Sequence, residues 1–121
     1  MAITSATTVL PQGGATYPSA FQFPYQDMTA NGAITIPCGV VIITKATACA
    51  ITLAAPATSG QFLFISSNTA AAHTVTITAG INGQGASFDV GTFSSAIGNF
   101  LCLVSYSGNW CQVGNLNVTW G

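Results

Sequence analysis

Residues 100–113 read FLCLVSYSGNWCQV, which is the clearest strand–turn–strand pattern in the chain. Two runs rich in apolar and aromatic residues flank Ser107 and Gly108, a pair that suits a two-residue hairpin turn. Such a turn places Tyr106 opposite Asn109 in the returning strand. The stretch therefore predicts a β-hairpin.

Further β-type runs lie on both sides of this hairpin. Residues 40–44 are a nearly continuous β-branched run, typical of a buried strand, and residues 73–78 alternate between polar and apolar side chains. Residues 117–120 form a last short run, and no long helical period occurs anywhere. With roughly eight to nine strands in all, the predicted fold class is all-β, a single small β-sandwich, jelly roll or barrel. We place this β domain at residues 29–121, after an extended N-terminal arm over residues 1–28.

The predicted arm combines prolines and glycines with four aromatic side chains. Phe21, Phe23 and Tyr25 stand at alternate positions, so they fall on one side of an extended segment, and Tyr17 precedes them. Large rings dominate the energetics of protein interfaces. We therefore predict that Tyr17 and the three alternating rings dock the arm on a neighbouring protein surface. The alternative is an untethered tail.

Charged side chains are almost absent from the sequence. Asp27, Lys45 and Asp89 are the only ones and make up 2% of the chain, against about 25% in ordinary soluble domains. Nucleic acids and anionic membranes are excluded as partners, because both are bound through clusters of Lys and Arg. A net charge near zero and sheet edges without charges favour association between copies. The composition thus predicts a homo-oligomer.

The few titratable side chains argue against catalysis. His73 is the single histidine, and we interpret it as a residue placed for packing or hydrogen bonding rather than as a base or metal ligand. Asp27 and Asp89 would have to converge to act as a carboxylate pair, and a small hydrolase is retained only as a remote alternative. We predict no enzyme activity, no catalytic or cofactor-binding residues, no cofactor and no metal site.

The four cysteines show no CxxC pair and no metal-type spacing. The N-terminus lacks the charged and apolar regions of a signal peptide, and no apolar run is long enough to span a membrane. We therefore expect the protein to be made in a reducing cytoplasm, and this location predicts free, buried thiols. The alternative is one disulfide, either Cys102–Cys111 or Cys38–Cys49.

Several stretches together resemble a known family. They are IITKA at 42–46, ITLAAP at 51–56, TAAAHTVT at 69–76, ING at 81–83, AIGNFL at 96–101 and the hairpin through Tyr106, Gly108, Asn109 and Trp110. Over roughly residues 30–115 the chain is similar to small phage virion proteins, which include head-decoration and fibre-like β proteins. The resemblance implies a virion surface protein without catalysis, often a homotrimer.

These observations lead to one principal expectation and one alternative. We expect a capsid decoration or cement protein that oligomerises, binds the major capsid protein and stabilises the assembled bacteriophage head. Its expected location is the capsid surface of the virion, after assembly in the cytoplasm of a host bacterium. The alternative is a tail-fibre or head-fibre module that binds a host-surface glycan or receptor.

Overall fold

Two mixed β-sheets make up the computed structural model, which describes residues 22–121. The predicted all-β class is confirmed, since helical structure in these residues is limited to two 3-10 turns, Ile81–Gly83 and Ala86–Phe88. The strands are β1 (Tyr25–Met28), β2 (Gly32–Ala33), β3 (Gly39–Ile43), β4 (Ala50–Leu53), β5 (Phe62–Ser67), β6 (Thr74–Ile77), β7 (Val90–Phe93), β8 (Phe100–Tyr106), β9 (Asn109–Leu116) and β10 (Val118–Trp120).

The chain passes back and forth between the sheets through its first six strands. The first sheet has the order β1-β3-β5-β8-β9, and the second has the order β10-β7-β6-β4-β2. Strands β1, β3 and β5 pair in parallel, as do β2, β4 and β6. The remaining pairs in both sheets are antiparallel. Each sheet is thus half a parallel stack and half an antiparallel extension.

A constant spacing relates the central strands of the two parallel stacks. Gly39 of β3 lies beside Leu63 of β5, and Ala50 of β4 lies beside Thr74 of β6. Both pairs are offset by 24 residues. The segment from β3 to β4 and the segment from β5 to β6 are therefore two turns of the same winding, one stacked on the other.

Alternation along the strands fills one common core between the sheets. In β3 the side chains of Val41 and Ile43 are fully buried, while those of the intervening residues are half-exposed. The core cluster draws on both sheets and consists of Met28, Ile34, Val41, Ile43, Cys49, Ile51, Leu53, Leu63, Ile65, Val75, Ile77, Ile81, Phe93, Leu101, Leu103, Trp110 and Val118. Burying aliphatic and aromatic side chains at about 25 cal/mol per Å² is the main term that stabilises such a domain.

The hairpin predicted from residues 100–113 is confirmed. Tyr106 of β8 lies opposite Asn109 of β9, and Val104 lies opposite Cys111. Ser107 and Gly108 have φ values of 50° and 82°, and two positive φ values are what a type I′ turn requires. A register shift between Cys102 and Leu103 bulges the far end of the hairpin.

The start of the β structure differs from the predicted boundary of the arm. Residues 25–28 form strand β1, which pairs with β3 along its whole length, and Met28 is buried in the core. These four residues therefore belong to the first sheet, although the sequence analysis placed them in the arm. The sequence pattern did not predict this strand, because Gln26 and Asp27 are adjacent polar residues and do not show the alternation of a half-buried strand.

Candidate interaction surface

The outer side of the first sheet is covered by apolar side chains. We call this surface the apolar face, and its members are the outward-facing residues Val40, Ile42, Phe62, Phe64, Phe100, Cys102, Val104 and Cys111. They alternate with the core residues on strands β3, β5, β8 and β9, so they point away from the interior. None of them carries a charge.

Strand register brings these side chains into continuous rows. In the central row Tyr25 lies beside Val40, Val40 beside Phe64, and Phe64 beside Cys102. Directly neighbouring side chains on one face of a sheet stand about 4.5–5.5 Å apart and touch. The rings of Phe64 and Phe100 stack with their centroids 5.3 Å apart and their planes inclined by 23°. The apolar face is therefore a set of side chains at adjacent positions on neighbouring strands and not a set of scattered side chains.

Large exposed side chains surround the apolar face. Tyr25, Tyr106 and Leu116 are between 46% and 68% exposed. Tyr25 stands at the β1 edge, whereas Tyr106 and Leu116 stand at the two ends of the β8–β9 hairpin. The apolar surface thus continues past the half-buried centre of the sheet on both sides.

The outer side of the second sheet has the opposite character. Its outward positions on β4, β6, β7 and β10 are mainly threonines, namely Thr52, Thr74, Thr76, Thr92 and Thr119. Threonine hydroxyls form hydrogen bonds with water. Phenylalanine and valine side chains have no hydrogen-bonding group, and their exposure to water is unfavourable. Of the two outer faces, the apolar face is the one that gains free energy by being covered.

The charged side chains lie outside the centre of the apolar face. Asp27 on the edge strand β1 accepts a hydrogen bond from the Thr44 hydroxyl. Lys45 follows β3 and donates from Nζ to the Ala48 carbonyl at 2.7 Å. Asp89 lies between the second 3-10 turn and β7. The structure therefore does not bring Asp27 and Asp89 together as a catalytic pair.

The aromatic residues predicted to dock the arm are divided by the structure. Tyr25 is in β1 and extends the apolar face, with 56% of its surface exposed. Phe23, two residues earlier, is also exposed. Tyr17 and Phe21 lie outside the described residues. Docking of the arm stays a prediction.

Sequence analysis did not identify the apolar face itself. Residues 40–43, 62–65 and 100–104 are apolar at almost every position, with no polar alternation. Such runs predict a strand that is covered on both sides. Within the described residues only one side is covered, which is the signal that points to a surface for another protein.

His73 is a structural residue of the core, as interpreted from the sequence. It is fully buried, and its Nδ1 accepts a hydrogen bond from the Cys49 backbone N–H at 3.1 Å. The Thr69 hydroxyl donates to the Lys45 carbonyl at 2.6 Å, so it accepts from His73 Nε2–H at 2.9 Å. These bonds fix the neutral imidazole with its proton on Nε2, and they tie the turn before β6 to the turn before β4.

We expect stability to fall below neutral pH because of this histidine. Burial lowers the pKa of His73; the hydrogen bond to the Thr69 carbonyl opposes this effect, and Lys45 adds a smaller lowering. Below about pH 6.5 the unfolded chain takes up a proton that the folded chain does not. The free energy of unfolding therefore falls by at most about 1.4 kcal/mol per pH unit. Urea unfolding at pH 7.5 and 5.0 measures the loss, and a His73→Gln variant should show a flatter profile. Equal stability of the wild type at both pH values would contradict this account.

The four thiols are free and have different environments. Cys49 is buried, and Cys38, Cys102 and Cys111 are half-buried. Burial raises the pKa of Cys49, against a smaller lowering by Lys45, and burial alone raises the pKa of Cys102. Cys102 lies beside Gly114 and Cys111 beside Val104, so these two cysteines are diagonal neighbours on adjacent strands. Diagonal positions are about 7–8 Å apart, longer than a disulfide usually spans.

An open cleft of about 190 Å³ lies at one end of the core. Ile34, Ile36, Pro37, Pro56 and Trp110 are among its apolar lining residues, and none of its lining residues is titratable. The indole N–H of Trp110 donates to the carbonyl of Ala54, which also lines the cleft, at 2.9 Å. Acid–base chemistry at this cleft would have to come from a bound molecule.

Metal-binding clusters and membrane-spanning helices are both absent from residues 22–121. This part of the chain contains no group of three or more His, Cys, Asp or Glu side chains that could hold a metal ion. None of its helical segments is long and apolar enough to cross a membrane. The apolar face is therefore the strongest candidate site in the described structure.

Comparison with known proteins adds no relative. No protein-family model, curated protein or solved structure matches this chain.

Proposed function

We propose that this chain is a structural protein of a bacteriophage particle, a decoration or cement protein that oligomerises and binds the assembled head. The observation that carries the proposal is the apolar face on a chain with three formal charges. A protein that works free in solution needs charges on its surface to resist association. A protein that is held in an assembly does not.

Binding to a finished shell supplies the mechanism. A protein that binds the assembled form but not its separate subunits stabilises the assembled form by RT ln(1 + [L]/Kd), which is about 2.7 kcal/mol at a hundredfold excess over Kd. Many equivalent sites on a shell multiply this gain. The major capsid protein is the proposed partner, and the resemblance of residues 30–115 to small phage virion proteins is the reason for this choice.

A fibre module that binds a host glycan or receptor is the second candidate. Tyr106 favours it, because this ring stands at the tip of the β8–β9 hairpin and is 68% exposed. Exposed aromatic rings stack on the apolar faces of ligands, and sugars offer such faces. A fibre has few copies per particle, whereas decoration requires a copy number comparable with that of the capsid protein.

We expect purified particles to carry the chain in numbers close to those of the major capsid protein, as measured by quantitative mass spectrometry. Particles stripped of the chain should lose their genome at a lower temperature, and adding the chain back should restore the higher temperature. A Tyr106→Ser variant serves as the control, since it should restore the heads fully under the decoration proposal. A few copies per particle, or loss of host attachment with Tyr106→Ser, would replace decoration with the fibre function.

A further inference from the structure

We propose that the apolar face packs against a second copy of this chain and forms the subunit interface of the homo-oligomer. The inference rests on the proposed structural role and deepens it by naming the surface and its partner. The area of the face, its lack of charge at the centre and its mixture of large and small side chains support this assignment.

The size of the face fits a subunit interface. The four strands of the face, about 4.8 Å apart and about 20 Å long, give an area on the order of 400 Å². That area lies within the range of about 300–600 Å² for the largest apolar patches that monomeric proteins expose. A stable interface buries about 800 Å² per partner, so the apolar face provides about half of it. Tyr25 and Leu116 at its margins can supply part of the remainder.

The absence of charge selects a copy of this chain as the partner. A partner with a charged surface would have to bury unpaired charges against Val40, Phe64 and Val104, which costs several kcal/mol per ion. An identical apolar face imposes no such cost at its centre, and Asp27, which lies beside Ile42 on the edge strand β1, stays at the margin with a hydrogen bond from the Thr44 hydroxyl. The net charge of −1 per chain leaves little repulsion to oppose the approach of two copies.

The relief of the face suits packing of sheet against sheet. Large Phe64 lies beside small Cys102, and large Phe100 lies beside Ser66. Facing sheets interdigitate their side chains at a separation of about 10 Å, and a mixture of large and small residues allows it. An interface built from the same surface on each copy is self-complementary and joins two copies about a twofold axis, so it makes a dimer rather than the homotrimer that the resemblance implies.

One pair of variants tests the proposal. Phe64→Glu places a charge at the centre of the apolar face, and Thr76→Glu places the same charge on the outer side of a central strand of the second sheet. We expect the wild type to be oligomeric at micromolar concentration by sedimentation velocity. Phe64→Glu should raise the dissociation constant at least about 30-fold, the effect of losing one interface hot spot. Thr76→Glu should leave it unchanged, and circular dichroism checks that both variants fold.

The wild-type thiols give a second measurement that does not depend on a variant. Cys102 and Cys111 lie on the apolar face, whereas Cys38 precedes β3 and Cys49 is in the core. A thiol reagent added to the native protein should modify Cys102 and Cys111 slowly at high protein concentration and faster on dilution. Labelling of Cys38 should not depend on protein concentration.

Three results would overturn the inference. A wild type that stays monomeric up to the highest concentration has no such interface. Dissociation by Thr76→Glu, with Phe64→Glu unchanged, would move the interface to the second sheet. Protection of Cys102 and Cys111 that persists in the monomer would mean that the face is covered within one chain. An oligomer that fails to bind phage heads leaves this inference standing and overturns the proposed function alone.

Discussion

A Phe93→Ala variant is expected to lose about 3–5 kcal/mol of its free energy of unfolding. Phe93 is the largest side chain that is fully buried, and it lies on β7, between β6 and β10 in the second sheet. Its ring meets that of His73 edge to face, with centroids 6.5 Å apart. Removing it leaves a cavity that neighbouring strands cannot fill without breaking their pairing. The midpoint of urea unfolding measures the loss, at one fixed protein concentration because oligomerisation adds to apparent stability.

Phe88→Ala is the matched control for that measurement. Phe88 lies in the second 3-10 turn and is 41% exposed, so its truncation should cost less than about 1 kcal/mol. A loss at Phe93 no larger than the loss at Phe88 would show that the two sheets do not share the packed core described here.

Gly39→Ala is expected to cost about 2–4 kcal/mol, since backbone strain of about 1–3 kcal/mol is joined by a steric clash. Gly39 opens β3 with φ at 117°, a conformation that residues with a Cβ rarely adopt. A Cβ at this position would lie 2.1 Å from the Pro24 carbonyl oxygen. That oxygen accepts a hydrogen bond from the Val40 N–H at 2.9 Å, so relief of the clash pulls β1 away from β3.

Gly60→Ala separates strain from clash. Gly60 also has a positive φ, at 85°, but a Cβ there meets no atom within 4 Å. It should cost about 1–2 kcal/mol from strain alone. Hydrogen exchange of the Val40 amide should accelerate in Gly39→Ala and stay slow in Gly60→Ala. Equal effects of the two substitutions would mean that β1 is not fixed against β3.

Features encoded by neighbouring residues were predictable from the sequence. The β8–β9 hairpin follows from Ser107 and Gly108 between two apolar runs, because a two-residue turn sets the register of both strands. The all-β class follows from short β-branched runs between turn residues. Both depend on interactions over a few residues.

Parallel pairing was not predictable in the same way. Strands β3 and β5 are joined through a strand of the other sheet, so no turn fixes their register. In the sequence, the spacing of 24 residues is visible only as a similar apolar-Thr-apolar pattern in Ile51-Thr52-Leu53 and Val75-Thr76-Ile77. Strand β1 was not predicted because Gln26 and Asp27 break the alternation of a half-buried strand, and no turn fixes its register with β3.

The candidate site was predictable in kind but not in place. The shortage of charged residues indicates association between copies, yet composition cannot assign a surface. The continuous run at residues 40–43 predicts cover on both sides of β3. Only the sheet order shows that its outward half, with Val40 and Ile42, joins Phe64 and Val104 in one layer.

Because the parallel strands of the two sheets belong to two turns of one winding, the chain can be lengthened by further turns of the same kind. A segment of 24 residues inserted between β4 and β5 adds one strand to each parallel stack and leaves the topology of all other strands as it is. Tandem duplication of a gene segment is enough to produce such a chain, as in other proteins built from repeated structural units. Each added unit widens the outer surfaces by about 4.8 Å, the distance between neighbouring strands. The width of the outer surfaces can therefore change in steps of one strand without a new fold.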